Sequence, residues 1–212
     1  MLKRLLQSVT TALLVTLSIH SAHAVDESQL PDIGTAGVAA LSIDREISYG
    51  NSFMRFARAQ LPIIDDPVLN EYLTDLGQRL VSHANNIRFP FTFFLIQDQT
   101  INAAAFLGGK VKVHSGLFLN ADNESELASV LAHEISHVTQ RHIARYLEAQ
   151  TRQTPMTIAG VVGAVALAMI NPTAGIAALQ TTMGLQAQSA INYTRDNEYE
   201  ADRIGMQLLY DS

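Results

Sequence analysis

DNESELASVLAHEISHVTQRH, residues 122–142, is the stretch that decides the fold. Asn123 followed three residues later by Glu126 is a helix-opening signal: each side chain can satisfy a backbone N–H that the first turn leaves free. Leu127, Val130, Leu131 and Val138 then recur at helical spacing, so one face of this helix is packed. The periodicity predicts a helix running to about Gln150. Within it lies His133-Glu134-Ile135-Ser136-His137. Residues four apart on an α-helix differ by about 40° in azimuth and one turn in height. His133 and His137 can therefore reach one metal ion. Glu134 lies about 100° round from His133. That puts it beside the ion, where it can hold and deprotonate a water. The plain alternative is a solvated His-Glu-His face.

A catalytic zinc takes three protein ligands and leaves a position open. A third His six residues after His137 is ruled out, because Ile143 stands there. His142 is five residues after His137, about 140° round a continuous helix, and is not expected to join the same site as a ligand. His114 is a weaker candidate at the end of a strand. The better one is Glu198, in RDNEYEAD, 195–202. Glu198 and Asp202 are four apart and share a helix face. Glu198 can bind the metal, while Asp202 can accept the free ring N–H of a ligand His and fix its tautomer. Glu200 points elsewhere, and the small Ala201 would let the two helices approach closely.

Around this pair, Asp66-Pro67 starts a helix, with Asp capping and Pro in the first turn. Leu69, Tyr72, Leu73, Leu76 and Leu80 continue it, and Ile43 to Gln60 reads as another helix. FTFFLIQ, 91–97, reads as a strand. Asn102–Leu107 and Lys110–His114 flank Gly108-Gly109 as a hairpin. The alternation Lys110-Val111-Lys112-Val113 suggests a half-exposed strand. A last helix is expected from about Thr194 to Tyr210.

The chain has 212 residues, 48% hydrophobic and 16% charged, which excludes a disordered chain. Its net charge is −6, with no basic stripe, so a nucleic-acid partner is not expected. It has no cysteine, so a metal must be held by His, Asp or Glu. Lys3 and Arg4, an apolar run from Leu5 to Ile19, and Ala22-His23-Ala24 read as a signal peptide over 1–24. An uncleaved anchor is the alternative. Cleavage would leave residues 25–212 and, with the loss of Lys3 and Arg4, a net charge of −8. Export without cysteine points to a periplasm. The run MTIAGVVGAVALAMI, 156–170, is fifteen apolar residues, short of the roughly 20 that span a bilayer. With the diluted return after Pro172 it is expected to form an apolar helical hairpin over about 156–188, either buried or touching a membrane surface.

HEISHVTQRH with the later NEYEAD resembles the Glu-zincin peptidases of the HtpX type. SHAN of 82–85, INAAAFLGGKVKVHSGLF of 101–118 and EADRIG of 200–205 resemble specifically the periplasmic branch of that family. The resemblance covers essentially the whole chain after residue 24. It implies an α+β, zincin-like metallopeptidase domain over 25–212, mainly helical with a small antiparallel β-sheet. It implies one zinc on His133, His137 and Glu198, with Glu134 as catalytic base and Asp202 supporting a ligand. By the same likeness, Asn102 and Ala103 would hydrogen-bond a substrate backbone added to the sheet edge. A plain structural hairpin is the alternative. The implied role is an endopeptidase, and possible chaperone, for unfolded or misassembled outer-membrane and periplasmic polypeptides. Its partners would include the outer-membrane assembly machinery. Members of this branch continue with more catalytic domain, a His-Pro segment and helical repeats. The chain ends at Ser212, so an incomplete catalytic domain is expected. A polypeptide-binding protein that cleaves little or not at all is the rival function.

Overall fold

The computed structural model describes residues 41–153, 158–171, 173–175, 178 and 187–212. The signal-peptide segment, the lead-in to residue 37 and most of the apolar return after Pro172 lie outside the described residues.

Helix α1 (Ile43–Gln60) starts at Ser42, whose side chain accepts from Arg45 N. Helix α2 (Pro67–His83) starts at Asp66, whose carboxylate accepts from the N–H groups of Val68 and Leu69 at 2.9 and 3.0 Å. Strands β1 (Thr92–Ile96), β2 (Ala103–Phe106) and β3 (Lys110–His114) form a sheet in the order β1-β3-β2. Short α3 (Ser115–Asn120) leads into α4 (Glu124–Thr139), then α5 (His142–Gln153), α6 (Ile158–Ile170) and α7 (Ala187–Asp211).

The hairpin is as expected. β2 and β3 pair antiparallel with Ala105 opposite Val111, and Gly108 and Gly109 both take positive φ, 68° and 75°. Leu107, Gly108 and Gly109 make a three-residue loop between Phe106 and Lys110, and glycine takes the positive φ it needs without steric cost. A Cβ on Gly108 would also sit 2.8 Å from the carbonyl oxygen of Glu46 in α1. The sheet as a whole is mixed rather than antiparallel, because β1 joins β3 in parallel, Phe93 beside Val111. A parallel neighbour needs a long return path. The loop and β2 after β1 supply it, letting the chain come back as β3 between the two.

The sheet is buried on both faces. Phe93, Leu95, Val111 and Val113 pack with Leu73, Leu76 and Leu80 of α2, Leu131 and Ile135 of α4 and Leu208 of α7. Phe94, Ile96 and Phe106 pack on the opposite side with Phe53 and Ala57 of α1, Leu147 of α5 and Val162 of α6. This corrects the half-exposed reading of β3. Lys110 and Lys112 are 6% and 3% exposed, because β3 is the central strand and helices cover both its faces. Lys110 directs its ammonium to Thr92 Oγ1 at 3.0 Å.

The helix of 122–142 differs most from expectation. Its start holds: Asn123 Oδ1 accepts from Glu126 N, and Glu126 Oε2 accepts from Asp122 N. Its course does not. α4 stops at Thr139 and α5 starts at His142, because Arg141 adopts φ 53°. A non-glycine residue in the left-handed region costs about 1–2 kcal/mol. It is held here by an ion pair: Arg141 is bound to the carboxylate of Glu46, with Nε at 2.8 Å, and donates to the carbonyl of Leu41 at 2.6 Å. Both partners are 3% exposed at the side chain.

Helix α7 begins at Ala187, seven residues before the expected start. It lies against α4, where Ala201 is fully buried and a Cβ on Gly205 would come within 3.0 Å of His133 N. Among the described residues no helix is long and apolar enough to cross a membrane.

Candidate metal centre

Helix α4 presents His133, Glu134 and His137, and α7 presents Glu198 and Asp202. Close approach of the two helices at Ala201 and Gly205 sets the distances. His133 Nε2 and His137 Nε2 are 3.0 Å apart, and Glu198 Oε2 lies 3.3 Å from the first and 3.6 Å from the second. Ligand atoms at about 2.0–2.2 Å around a tetrahedral zinc stand about 3.3 Å from one another. The three atoms have that spacing, and they are two imidazole nitrogens and a carboxylate oxygen, the donor types that zinc prefers. Glu198 is 47% exposed at its side chain, which leaves one flank of the cluster open to solvent.

Glu134 turns towards the sheet. Its Oε2 accepts from the backbone N–H of Ala105, in β2, at 2.7 Å. Burial pushes its carboxyl up to about 6, against the opposing pull of His133 and the Ala105 hydrogen bond. A carboxylate with that proton affinity is suited to taking a proton and returning it near neutral pH.

The far nitrogens of the two imidazoles have different partners. His133 Nδ1 lies 2.9 Å from Asp202 Oδ1. His137 Nδ1 lies 2.7 Å from His142 Nδ1. His142 is 4% exposed, and its Nε2 lies 3.0 Å from Glu200 Oε2, to which Arg145 Nη1 donates at 2.7 Å. Burial first, and then His137, lower the His142 imidazole to about 4, so it is neutral. His137 is also lowered, mainly by burial. His142 is outside the ligand group of His133, His137 and Glu198, but the 140° offset expected between it and His137 does not hold. That offset follows from a continuous helix, and the break at Arg141 turns His142 back beside His137. Glu200 does point away from Glu198, and what it meets there is His142.

Strand β2 is an edge of the sheet. Asn102 O accepts from His114 N, so its backbone faces β3. Backbone groups alternate along a strand. Ala103 and Ala105 therefore face the open edge, and Ala105 N–H is the one that meets Glu134. His114 is not part of the cluster among the described residues. It is 5% exposed, with Nδ1 at 2.8 Å from Thr100 Oγ1.

Residues 67–212 match the sequence profile described as Peptidase family M48. The chain is 57% identical over 184 residues to the "Putative beta-barrel assembly-enhancing protease" of Vibrio cholerae, covering 87% of this chain and 38% of that protein. It is 48% identical over 212 residues to the "Beta-barrel assembly-enhancing protease" of Escherichia coli K12, covering 99% of this chain and 44% of that protein. It is 32% identical over 142 residues to "Metalloprotease YcaL" of the same organism, covering 63% of this chain and 52% of that protein. The chain thus spans less than half the length of the first two relatives.

Proposed function

This chain belongs to peptidase family M48, a metallopeptidase family, and on that footing we propose that it is a zinc-dependent endopeptidase acting on unfolded or misassembled envelope proteins. The observation that carries the reading is the spacing of His133 Nε2, His137 Nε2 and Glu198 Oε2, which suits one tetrahedral zinc. Bound there, zinc would supply Lewis-acid polarisation of the scissile carbonyl and make a water more acidic. Glu134 takes the proton of the attacking water and delivers it to the leaving amine. Asp202 holds the His133 ring. An extended substrate adds to the free edge of β2, where the backbone of Ala103 and the side chain of Asn102 meet it. Recognition through backbone groups suits chains that have lost their fold, because it reads little of the side chains.

The names of the relatives support a role in assembling outer-membrane β-barrels, with the chain working in the periplasm after cleavage of residues 1–24. The assembly machinery is then its partner, and the apolar segment around α6 a point of contact with the membrane surface. The test is cleavage of a fluorophore-labelled, unfolded casein by the zinc-loaded chain. Turnover that disappears with chelator and with Glu134→Gln is expected. Turnover that survives Glu134→Gln would overturn the assignment of the base.

A further inference from the structure

We propose that His142 is a positioning residue for the metal ligand His137, in a tautomer fixed by Glu200 and Arg145. The inference rests on the metal-centre reading above and extends it to residues outside the ligand set. His137 turns Nε2 towards His133 and Glu198, so a metal there takes that nitrogen's lone pair. A neutral imidazole that binds through Nε2 carries its hydrogen on Nδ1. His137 Nδ1 stands 2.7 Å from His142 Nδ1, and one hydrogen is shared between two ring nitrogens at that distance. His142 Nδ1 is therefore the acceptor, and the hydrogen of its own neutral ring must be on Nε2. That nitrogen faces a group that can only accept, Glu200 Oε2 at 3.0 Å. Arg145 Nη1 holds the same oxygen at 2.7 Å. Every group in the chain of contacts then has one consistent direction, from His137 to His142 to Glu200.

The two ligand histidines are thus supported differently. His133 leans on Asp202, whose side chain is 69% exposed. His137 leans on an imidazole whose side chain is 4% exposed, which water cannot replace. The device depends on the break at Arg141, since a continuous helix would carry His142 away from His137.

The test is zinc affinity, measured by chelator competition on the folded chain, with the absorption bands of the cobalt-substituted protein as a second readout. His142→Phe keeps a planar ring and removes the acceptor. It is expected to weaken zinc binding by about 10–100-fold, the usual loss for a group that orients a ligand, and to shift the cobalt bands. In His142→Asn the side-chain oxygen can take the place of Nδ1, and affinity close to wild type is expected. A Phe variant that binds zinc as tightly as wild type, or an Asn variant as weak as Phe, would overturn the proposal. The tautomers can also be read without any variant, by 15N NMR of the histidine rings in the zinc-loaded chain. A proton on His142 Nε2 supports the proposal, and one on Nδ1 overturns it. A folded wild-type chain that takes up no zinc would instead sink the metal-centre reading itself, and this inference with it.

Discussion

Ala105 N–H donates to Glu134 Oε2 at 2.7 Å, and so joins the sheet edge to the carboxylate next to the metal cluster. Two expectations follow from it. The bond holds Glu134 against the strand, and it occupies one of the groups that the open edge offers to another strand. Ala105→Pro deletes this donor without touching the β3 ladder, because Ala105 N–H faces away from β3. Proline is tolerated at such a position of an edge strand. A lost hydrogen bond to a charged group is worth about 1.5–3 kcal/mol. The variant is expected to fold and to turn over unfolded casein about 10–100-fold more slowly, as read by kcat. Unchanged kcat would mean that the bond does not orient the base.

Glu134→Gln keeps an oxygen for the Ala105 N–H and removes the proton acceptor. General-base catalysis contributes about 10²–10⁴ in rate. A drop of that size in kcat is expected, with binding of unfolded polypeptide by fluorescence anisotropy unchanged. Loss of binding together with turnover would show that the substitution had disturbed the edge rather than the chemistry.

The same carboxylate gives a pH dependence in the metal-free chain. Its folded value, about 6, lies above the unfolded 4.5, because burial penalises the charge. The folded state then holds a proton more tightly than the unfolded one. The stability this contributes is complete below pH 4.5 and is lost as pH rises through about 6. Glu134→Gln removes that loss. After chelation, the variant should be more stable than wild type by about 2 kcal/mol at pH 8, and equal to it near pH 4. Urea unfolding at the two pH values reads the difference. A variant no more stable at pH 8 would contradict the buried carboxylate.

Much of this was legible in the sequence, and what was not has a common cause. The Asp66-Pro67 and Asn123/Glu126 starts are set by neighbours within one turn, and the structure has them as read. The Gly108-Gly109 turn needs a conformation that glycine alone takes freely, so it too is local. His133, Glu134 and His137 share a helix by spacing, and Glu198 lies with Asp202 one turn apart for the same reason. The break after Thr139 was not legible. Arg141 carries no local signal for a left-handed conformation, and Glu46 and Leu41, which hold it, are 95 and 100 residues away. Everything that depends on the break, above all His142 beside His137, was hidden with it. The burial of Lys110 and Lys112 was missed for a similar reason. A period of two marks a strand with two different faces, and only the packing of α1 and α5 shows that the lysine face is covered.

The Glu46–Arg141 pair gives a stability expectation. Removing one partner of a buried ion pair costs about 3–5 kcal/mol, because the other charge is left in the interior. Glu46→Ala should lower the melting temperature by about 10 °C. It should also weaken zinc binding, since Arg141 sets the position of His142. A variant that melts as wild type would show that the break does not depend on this contact.

Ala201 is fully buried where α7 meets α4. Ala201→Leu would push the helices apart, at a typical overpacking cost of about 1–3 kcal/mol. It would also widen the distance from Glu198 to both histidines. Zinc affinity is expected to fall more steeply than stability. Equal zinc affinity in a folded variant would mean that the helix spacing does not set the site.

The most direct measurement is the zinc content of the purified, folded chain by elemental analysis, after dialysis against metal-free buffer without chelator. The expected result is about one zinc per chain, as a single three-ligand site requires, lost in His137→Ala. A folded chain that retains no zinc would contradict the assignment of His133, His137 and Glu198 as its ligands.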